Sequence, residues 1–360
     1  MLKTPHIARN VMADLIGHLP LVLLLLLACS CAKTLTREEP RELTLRPVAS
    51  VSTKADPELD GASLGTDNTY VIYASASATG NPAYLTGQLF TYYSSSAAWK
   101  ASSGTPGNYE SSPVYWPLSG TTVDFLALAL KPEAYTALTT APGSIAWNGS
   151  SQGGSAGGVT IAEWDTYANQ YDVMYAVKNG QSVNNSSAGT IPLAFQHALA
   201  VVGFTAKSST EADVYTLKGA IFNDLQFKGT IALDNTVTEL VPAWSVPNDA
   251  GHRGDKAIPM TAATFSVPGP GATGSAIKLT DHLLVIPQAS RSVTLTYRVR
   301  NSLADLTVVL PLPRVIWKAG CRYIYNLSFT PTEILVETVD VYDLSGPGDV
   351  THAGGSFFNE

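Results

Sequence analysis

The chain has 360 residues, enough for two domains of ordinary size. Hydrophobic residues make up 45 % and charged residues only 14 %, which supports a sizeable core and argues against intrinsic disorder or a long coiled coil. Lys and Arg number 22 against 29 Asp and Glu, a net charge of −7, and no segment is strongly basic, so nucleic acid is not an expected partner.

The first predicted element is the apolar run 21–28, far shorter than the ~20 residues of a spanning helix. Lys3 and Arg9 precede it and small residues follow it, the pattern of an export signal. Leu26-Leu27-Ala28-Cys29, directly after the run, resembles the bacterial lipobox, in which a cysteine thiol is diacylated before cleavage. The resemblance implies a lipoprotein signal peptide over 1–28 and a lipid on Cys29, with Cys31 as the alternative. It implies lipid anchoring in the cell outer membrane. Residues 29–42 are polar and read as a tether. The remaining Cys31 and Cys321 are too far apart to form a disulfide framework.

From Leu43 the pattern alternates. Leu43, Leu45, Pro47, Ala49 and Val51 interleave with Thr44, Arg46, Val48, Ser50 and Ser52, which predicts a half-buried strand over 43–53. Pro47 lacks an amide proton and places this strand at a sheet edge or over an open groove. Further strands are predicted over 70–75, 88–93, 123–130 and 172–177, with Gly/Ser-rich loops at 101–112 and 148–158 and one or two helical turns over 163–170. Residues 179–189 read as a linker. Strands resume over 191–195, 199–206, 214–223, 229–233, 278–286, 292–299, 306–310, 323–329 and 334–342. A Gly-rich tail, expected to be mobile, occupies 345–360. The expectation is an all-β chain with one domain over 43–185 and a second over 186–344.

No enzyme constellation emerges. His197, His252, His282 and His352 lack metal-ligand spacing, and no nucleophile, phosphate or dinucleotide motif is present. No catalytic residue, metal or cofactor is expected. His197, in an apolar neighbourhood, reads as structural, and the acids Glu163, Asp165, Asp60 and Asp67 read as solvated. Among the six tryptophans, Trp116 and Trp317 adjoin apolar runs and read as core, whereas Trp147 reads as exposed. Loops 144–149 and 248–256 could hold a glycan or host matrix, and the latter carries the integrin-type tripeptide Arg253-Gly254-Asp255.

Four segments in order resemble the fimbrillins of Bacteroidia, the Mfa-like or type V pilins. They are Tyr115-Trp116-Pro117 followed by Val123-Asp124-Phe125-Leu126-Ala127; Ile191-Pro192-Leu193-Ala194-Phe195-Gln196-His197-Ala198-Leu199-Ala200; Leu284-Val285-Ile286-Pro287-Gln288; and Trp317-Lys318-Ala319-Gly320 followed by Tyr323-Ile324-Tyr325. The resemblance covers about residues 43–340. It implies two tandem transthyretin-like β-sandwich domains and a subunit of an adhesive surface fimbria. It also implies an N-terminal strand, here 43–53, removed by an Arg- or Lys-specific protease at Arg46 or Lys54. A strand of the next subunit would then fill the vacated groove. The candidate donor is the C-terminal strand region, through Ile334, Val336, Val339 and Val341. Expected partners are other fimbrillin subunits, the outer membrane through the lipid, and a host receptor or glycan. The tail after Leu344 has no counterpart in the family pattern. The alternative is a monomeric surface lipoprotein that binds glycan or host matrix through its loops.

Overall fold

The computed structural model describes residues 39–49, 69–76, 81–105, 108–117, 121–131, 134–136, 138, 145–147, 158–186, 189–210, 214–234, 243–260, 262–270, 277–280 and 283–344. The first half of the chain supplies β1 (Thr44–Ala49), β2 (Thr69–Ala76), β3 (Asn81–Tyr93), β4 (Ala98–Thr105), β5 (Asn108–Ser111), β6 (Val123–Leu130), β7 (Ile145–Trp147), β8 (Gly158–Asp165), β9 (Met174–Gln181) and β10 (Thr190–His197). The second half supplies β11 (Ala200–Ser208), β12 (Tyr215–Gln226), β13 (Lys228–Asp234), β14 (Ala243–Ser245), β15 (Arg253–Ala257) and β16 (Phe265–Ser266). It continues with β17 (Ile277–Lys278), β18 (Leu283–Val285), β19 (Ser292–Val299), β20 (Leu306–Pro311), β21 (Cys321–Phe329) and β22 (Ile334–Asp343). The fold is all-β, as its alternating runs predict.

The first sheet runs β1-β10-β9-β6-β2-β3-β4-β5, and β1 also pairs with β4. That extra pairing closes all but β5 into a ring. Its interior holds Phe90, Trp99, Trp116, Phe125 and Phe195 among the small Ala101, Ala127, Ala129 and Ala176. Alternating large and small side chains let a tightly curved sheet fill its own centre. Strand β6 explains itself: Val123, Phe125, Ala127 and Ala129 face the ring interior, while Leu126, Leu128 and Leu130 face an outer core. Both faces are buried, so its sequence is almost continuously apolar.

That outer core lies under a second layer ordered β14-β13-β8-β7. Only β7 and β8 come from the first half. Beyond β12 the chain crosses over, adds β13 and β14 to this layer, and returns as β15. The remaining strands form two five-stranded sheets around a third core. One is ordered β17-β11-β21-β22, with β18 on β11; the other is β15-β12-β19-β20, with β16 on β12. Phe204 stacks on Tyr325 at 5.4 Å, and the Trp317 indole N–H donates to the Tyr325 hydroxyl at 2.8 Å, so this core is apolar without an unsatisfied indole.

Several expectations change. Residues 101–112, expected as a loop, carry β4 and β5; serines there still pair in a ladder. Residues 163–165 end β8 rather than starting a helix, and only a turn follows. Residues 278–286 are broken, with β17 ending at Lys278 and β18 starting at Leu283. Residues 179–181 end β9, and the described residues 182–186 and 189 lie between β9 and β10 of the first sheet. β10 pairs with β1 and β9, so the passage between halves falls at Ala198–Leu199, not at 185/186. Arg41 and Glu42, expected within the tether, bond to the body of the fold, which begins at Arg41.

Candidate functional site

Strand β1 is the part of the fold with an unusual mode of attachment. It lies parallel to β10 from Thr44↔Thr190 to Ala49↔Phe195, and antiparallel to β4 at Thr44↔Lys100 and Leu45↔Trp99. The expected edge strand is thus an inserted strand at its start and a one-sided strand at its end. Leu43 and Leu45 point inward, 0 % and 3 % exposed, into the ring core with Ile191, Leu193, Phe195 and Trp99. Burying two leucines contributes roughly 1.5–3 kcal/mol each.

Backbone alternation explains Pro47. The Thr44 amide donates to Gly189 O on the β10 side at 3.3 Å, whereas the Leu43 amide donates to Val114 O on the other side at 2.8 Å. Pro47 shares the parity of Leu43, so its nitrogen faces away from β10 where pairing with β4 has ended. No ladder bond is lost.

The start of β1 is clamped. Glu42 bridges to Tyr115 and its carboxylate pairs with Lys100 at 3.0 Å. The Thr44 and Thr190 hydroxyls lie 2.8 Å apart, and the Trp116 amide donates to Arg41 O at 2.9 Å. Gly189 accepts the Trp116 indole N–H at 2.9 Å, with φ at 85°. A Cβ at Gly189 would sit 3.0 Å from both Glu42 O and the Arg41 side chain at a φ that other residues rarely adopt, so a larger residue is strained where the N-terminal segment crosses. Arg46 is exposed but its backbone lies inside the β1–β10 ladder. Lys54, Cys29, Cys31 and the tail 345–360 lie outside the described residues.

Toward the other end of the chain, β22 is the edge strand of its sheet and, among the described residues, pairs only with β21. A register shift between Asn326 and Leu327 changes its parity, so Ile334, Val336, Val339 and Val341 all contact the same core. Ile334 is 9 % exposed and the three valines are half-buried. Leu344, just beyond the strand, is buried in a small cluster with Leu199, Val201 and Leu284.

His197 is buried in its apolar neighbourhood, and its Nδ1 hydrogen-bonds the carboxylate of buried Asp172. Glu163 is exposed, as expected of a solvated acid, but it is also paired. At φ 55° it bonds Lys228 at 2.9 Å and His252 Nε2 at 3.0 Å, while His252 Nδ1 meets Asp249 at 2.7 Å. Bonds to Lys228 and then His252 hold the Glu163 carboxyl below its ordinary range, and bonds to Asp249 and then Glu163 raise the His252 imidazole. Asp165 caps the following turn, accepting the amides of Tyr167 and Ala168 at 2.9 Å each. Asp60, Asp67, His282 and His352 fall outside the described residues.

The tripeptide Arg253-Gly254-Asp255 is in strand β15, not a loop. Arg253 is held by Asp224 at 2.7 Å and Asn248 at 2.8 Å, and Asp255 accepts the Asp224 amide at 3.0 Å. Trp147 is half-buried against the outer core rather than exposed; Trp99, Trp116, Trp164 and Trp317 are buried, and Trp244 is half-buried. The indoles therefore serve the cores and do not make a stacking platform. Lys228 and His252 around Glu163, and Arg253 on Asp224, were invisible as partners in the sequence, because they meet across two bulged ladders.

The fold is thus an all-β body whose first sheet is completed by the N-terminal strand and whose last sheet is edged by the C-terminal one. The fimbrillin-like family profile matches residues 53–343, beginning just beyond β1 and ending with β22. The chain belongs to the fimbrillin-like family. Its fold is similar to that of a fimbrial protein from Bacteroides vulgatus, with a TM-score of 0.57, 16 % identity, and coverage of 84 % of this chain and 99 % of that one. It is also similar to a putative cell adhesion protein from Bacteroides uniformis, with a TM-score of 0.52, 16 % identity, and coverage of 85 % and 99 %. No curated protein matches the chain.

Proposed function

We propose that the chain is a fimbrial subunit that assembles by strand exchange from a lipid-anchored precursor. The lipid sits on Cys29, or on Cys31, and holds the precursor at the outer membrane. A protease then cuts at a basic residue beside β1, the strand leaves, and a strand from another subunit takes its place.

The observation that carries this reading is the two-sided seat of β1. A short strand placed between β10 and β4 leaves, on departure, two rows of unpaired backbone groups and an apolar slot once filled by Leu43 and Leu45. An incoming strand is recognised there by ladder bonds, and its register by alternate side chains. Such head-to-tail pairing does not close, so it grows a filament. Of the two basic residues, Lys54 is the favoured cut: Arg46 is inside the ladder and is followed by rigid Pro47. The donor is β22, through Ile334, Val336, Val339 and Val341. As an edge strand with one neighbour and half-buried valines, it is the least enclosed long strand of its sheet.

The test uses residues 32–360 with an Arg/Lys-specific protease, a gel run without boiling, and mass spectrometry of the new end. The expected result is a ladder of detergent-resistant oligomers whose N-terminus is Ala55 or Pro47. A clean cut there that leaves only monomer overturns self-assembly by strand exchange.

A further inference from the structure

We infer that β20 is a second, independent association edge, on which two copies of this chain pair with their β20 strands antiparallel around a two-fold axis. Natural sheets defend their edges with charge, bulges, proline or shortness. The other described edge strands do so here. β22 carries Glu337, Asp340 and Asp343 and a register shift; β15 carries Arg253, Asp255 and Lys256 and a register shift. β5 has four residues including Glu110, and β7 and β14 have three each. β20, LTVVLP, has six residues, no charge and an unbroken register against β19, with proline only at its last position.

The edge is open and apolar. The Leu312 amide donates to Arg291 O at 2.9 Å in line with the β19–β20 ladder. By alternation, Leu306, Val308 and Leu310 bond β19, while Thr307, Val309 and Pro311 turn their backbone groups outward. Among the described residues no strand hydrogen-bonds them there, although β22 of the facing sheet comes within 8 Å of β20. Val309 is 61 % exposed on the outer face, Leu306 is exposed at the start of the strand on the opposite face, and Leu303 in the preceding turn is 97 % exposed.

The occupant that fits is a second β20. In the register that places Val308 opposite its own copy, Thr307 faces Val309 of the other chain. Each such pair exchanges both ladder bonds. Pro311, which has no amide to leave unpaired, then faces Asp305 and accepts its N–H. No charge opposes a like charge, because β20 has none, and the Asp305 carboxylate is already neutralised by Lys218 at 2.9 Å and Arg298 at 2.6 Å. A single strand pair is smaller than the ~1,200 Å² of stable complexes, so a dissociation constant on the order of 100 μM is expected.

The pairing needs no cleavage, so it is measured on uncut 32–360 and stands or falls apart from strand exchange. Sedimentation equilibrium spanning about a tenth to about ten times that constant should show a monomer–dimer equilibrium. Val309→Lys, at an exposed position, should weaken it at least ~10-fold with an unchanged unfolding midpoint. Val308→Cys, in a chain also carrying Cys321→Ala, should form a dimer-linking disulfide under a mild thiol oxidant. Cross-strand pairs of this non-hydrogen-bonded kind bring the two Cα atoms to about 4.5 Å. A chain that stays monomeric, or a dimer indifferent to Val309→Lys, overturns the proposal. A dimer that Val309→Lys abolishes but Val308→Cys does not link overturns the register.

Discussion

The two terminal strands are held in opposite ways. β1 is short, seated between two neighbours at its start, and anchored by two leucines sealed in the ring core. β22 is longer, has one neighbour, and lays half-buried valines along the flank of its sandwich. Attachment by insertion concentrates binding free energy in few residues and leaves a defined vacancy when the strand goes. Attachment by lamination spreads it over many residues and leaves a shallow face. The first arrangement suits an acceptor seat and the second a strand that can move.

Substitutions can break that contrast. Leu45→Asp should have the largest effect, roughly 3–5 kcal/mol, because it puts an unpaired carboxylate into the ring core. Urea unfolding with hydrogen exchange on β10 would show both the loss and its location. Leu43→Ala should cost about 2–5 kcal/mol, whereas Val339→Ala on β22 should cost less than about 2, since the valine is only half-buried. Equal losses in denaturant titrations would mean that the two strands are held alike. Gly189→Ala should cost about 1–3 kcal/mol through its positive φ and its approach to Glu42, and should loosen exchange protection at Leu43–Leu45 before any other ladder. Glu42→Gln should cost no more than ~1 kcal/mol, because the pair with Lys100 is partly solvated.

The smallest effect comes from the Glu163–His252–Asp249 cluster, which belongs to neither terminal strand. The folded state raises the His252 imidazole, so its contribution is complete below the ordinary histidine range and is lost as pH rises through the raised value. Glu163 is lowered, so its contribution is present above the ordinary carboxylate range and is lost as pH falls through the lowered value. Both contributions are therefore present in mildly acidic solution. NMR titration of His252 should give a value above that of a free histidine, and Asp249→Asn should bring it down. Exchange at β1 and β22 should not respond, which separates this cluster from both ends.

Much of the fold was legible in alternation. Leu43 and Leu45, Ile191, Leu193 and Phe195, and the run at 123–130 each declare a buried face, because a strand repeats every two residues. The candidate site was half legible. Leu43–Ala49 and Ile334–Tyr342 read as strands, but nothing local says that Glu42 meets Lys100 or that Gly189 makes room for Arg41. The polar stretch 179–189 looked like a domain linker, since a hairpin turn and a linker use the same residues. Serine-rich 101–112 looked like loop, since strand pairing there is carried by backbone rather than by side chains.

The sequence alone determines the all-β class, the inward faces of the long strands, the core role of Trp116 and Trp317, and the resemblance to fimbrillins. These rest on short-range periodicity and on local residue types. Tertiary structure alone decided that β1 is inserted rather than merely edging, that β10 belongs with the first sheet, and that β13 and β14 cross over to complete its outer layer. It also decided that Arg253-Gly254-Asp255 is tied into β15 and that β20 is left undefended. Strand partnership is a long-range choice: backbone hydrogen bonds are the same for every residue, so a strand's own sequence states which face is buried but not which neighbour it meets.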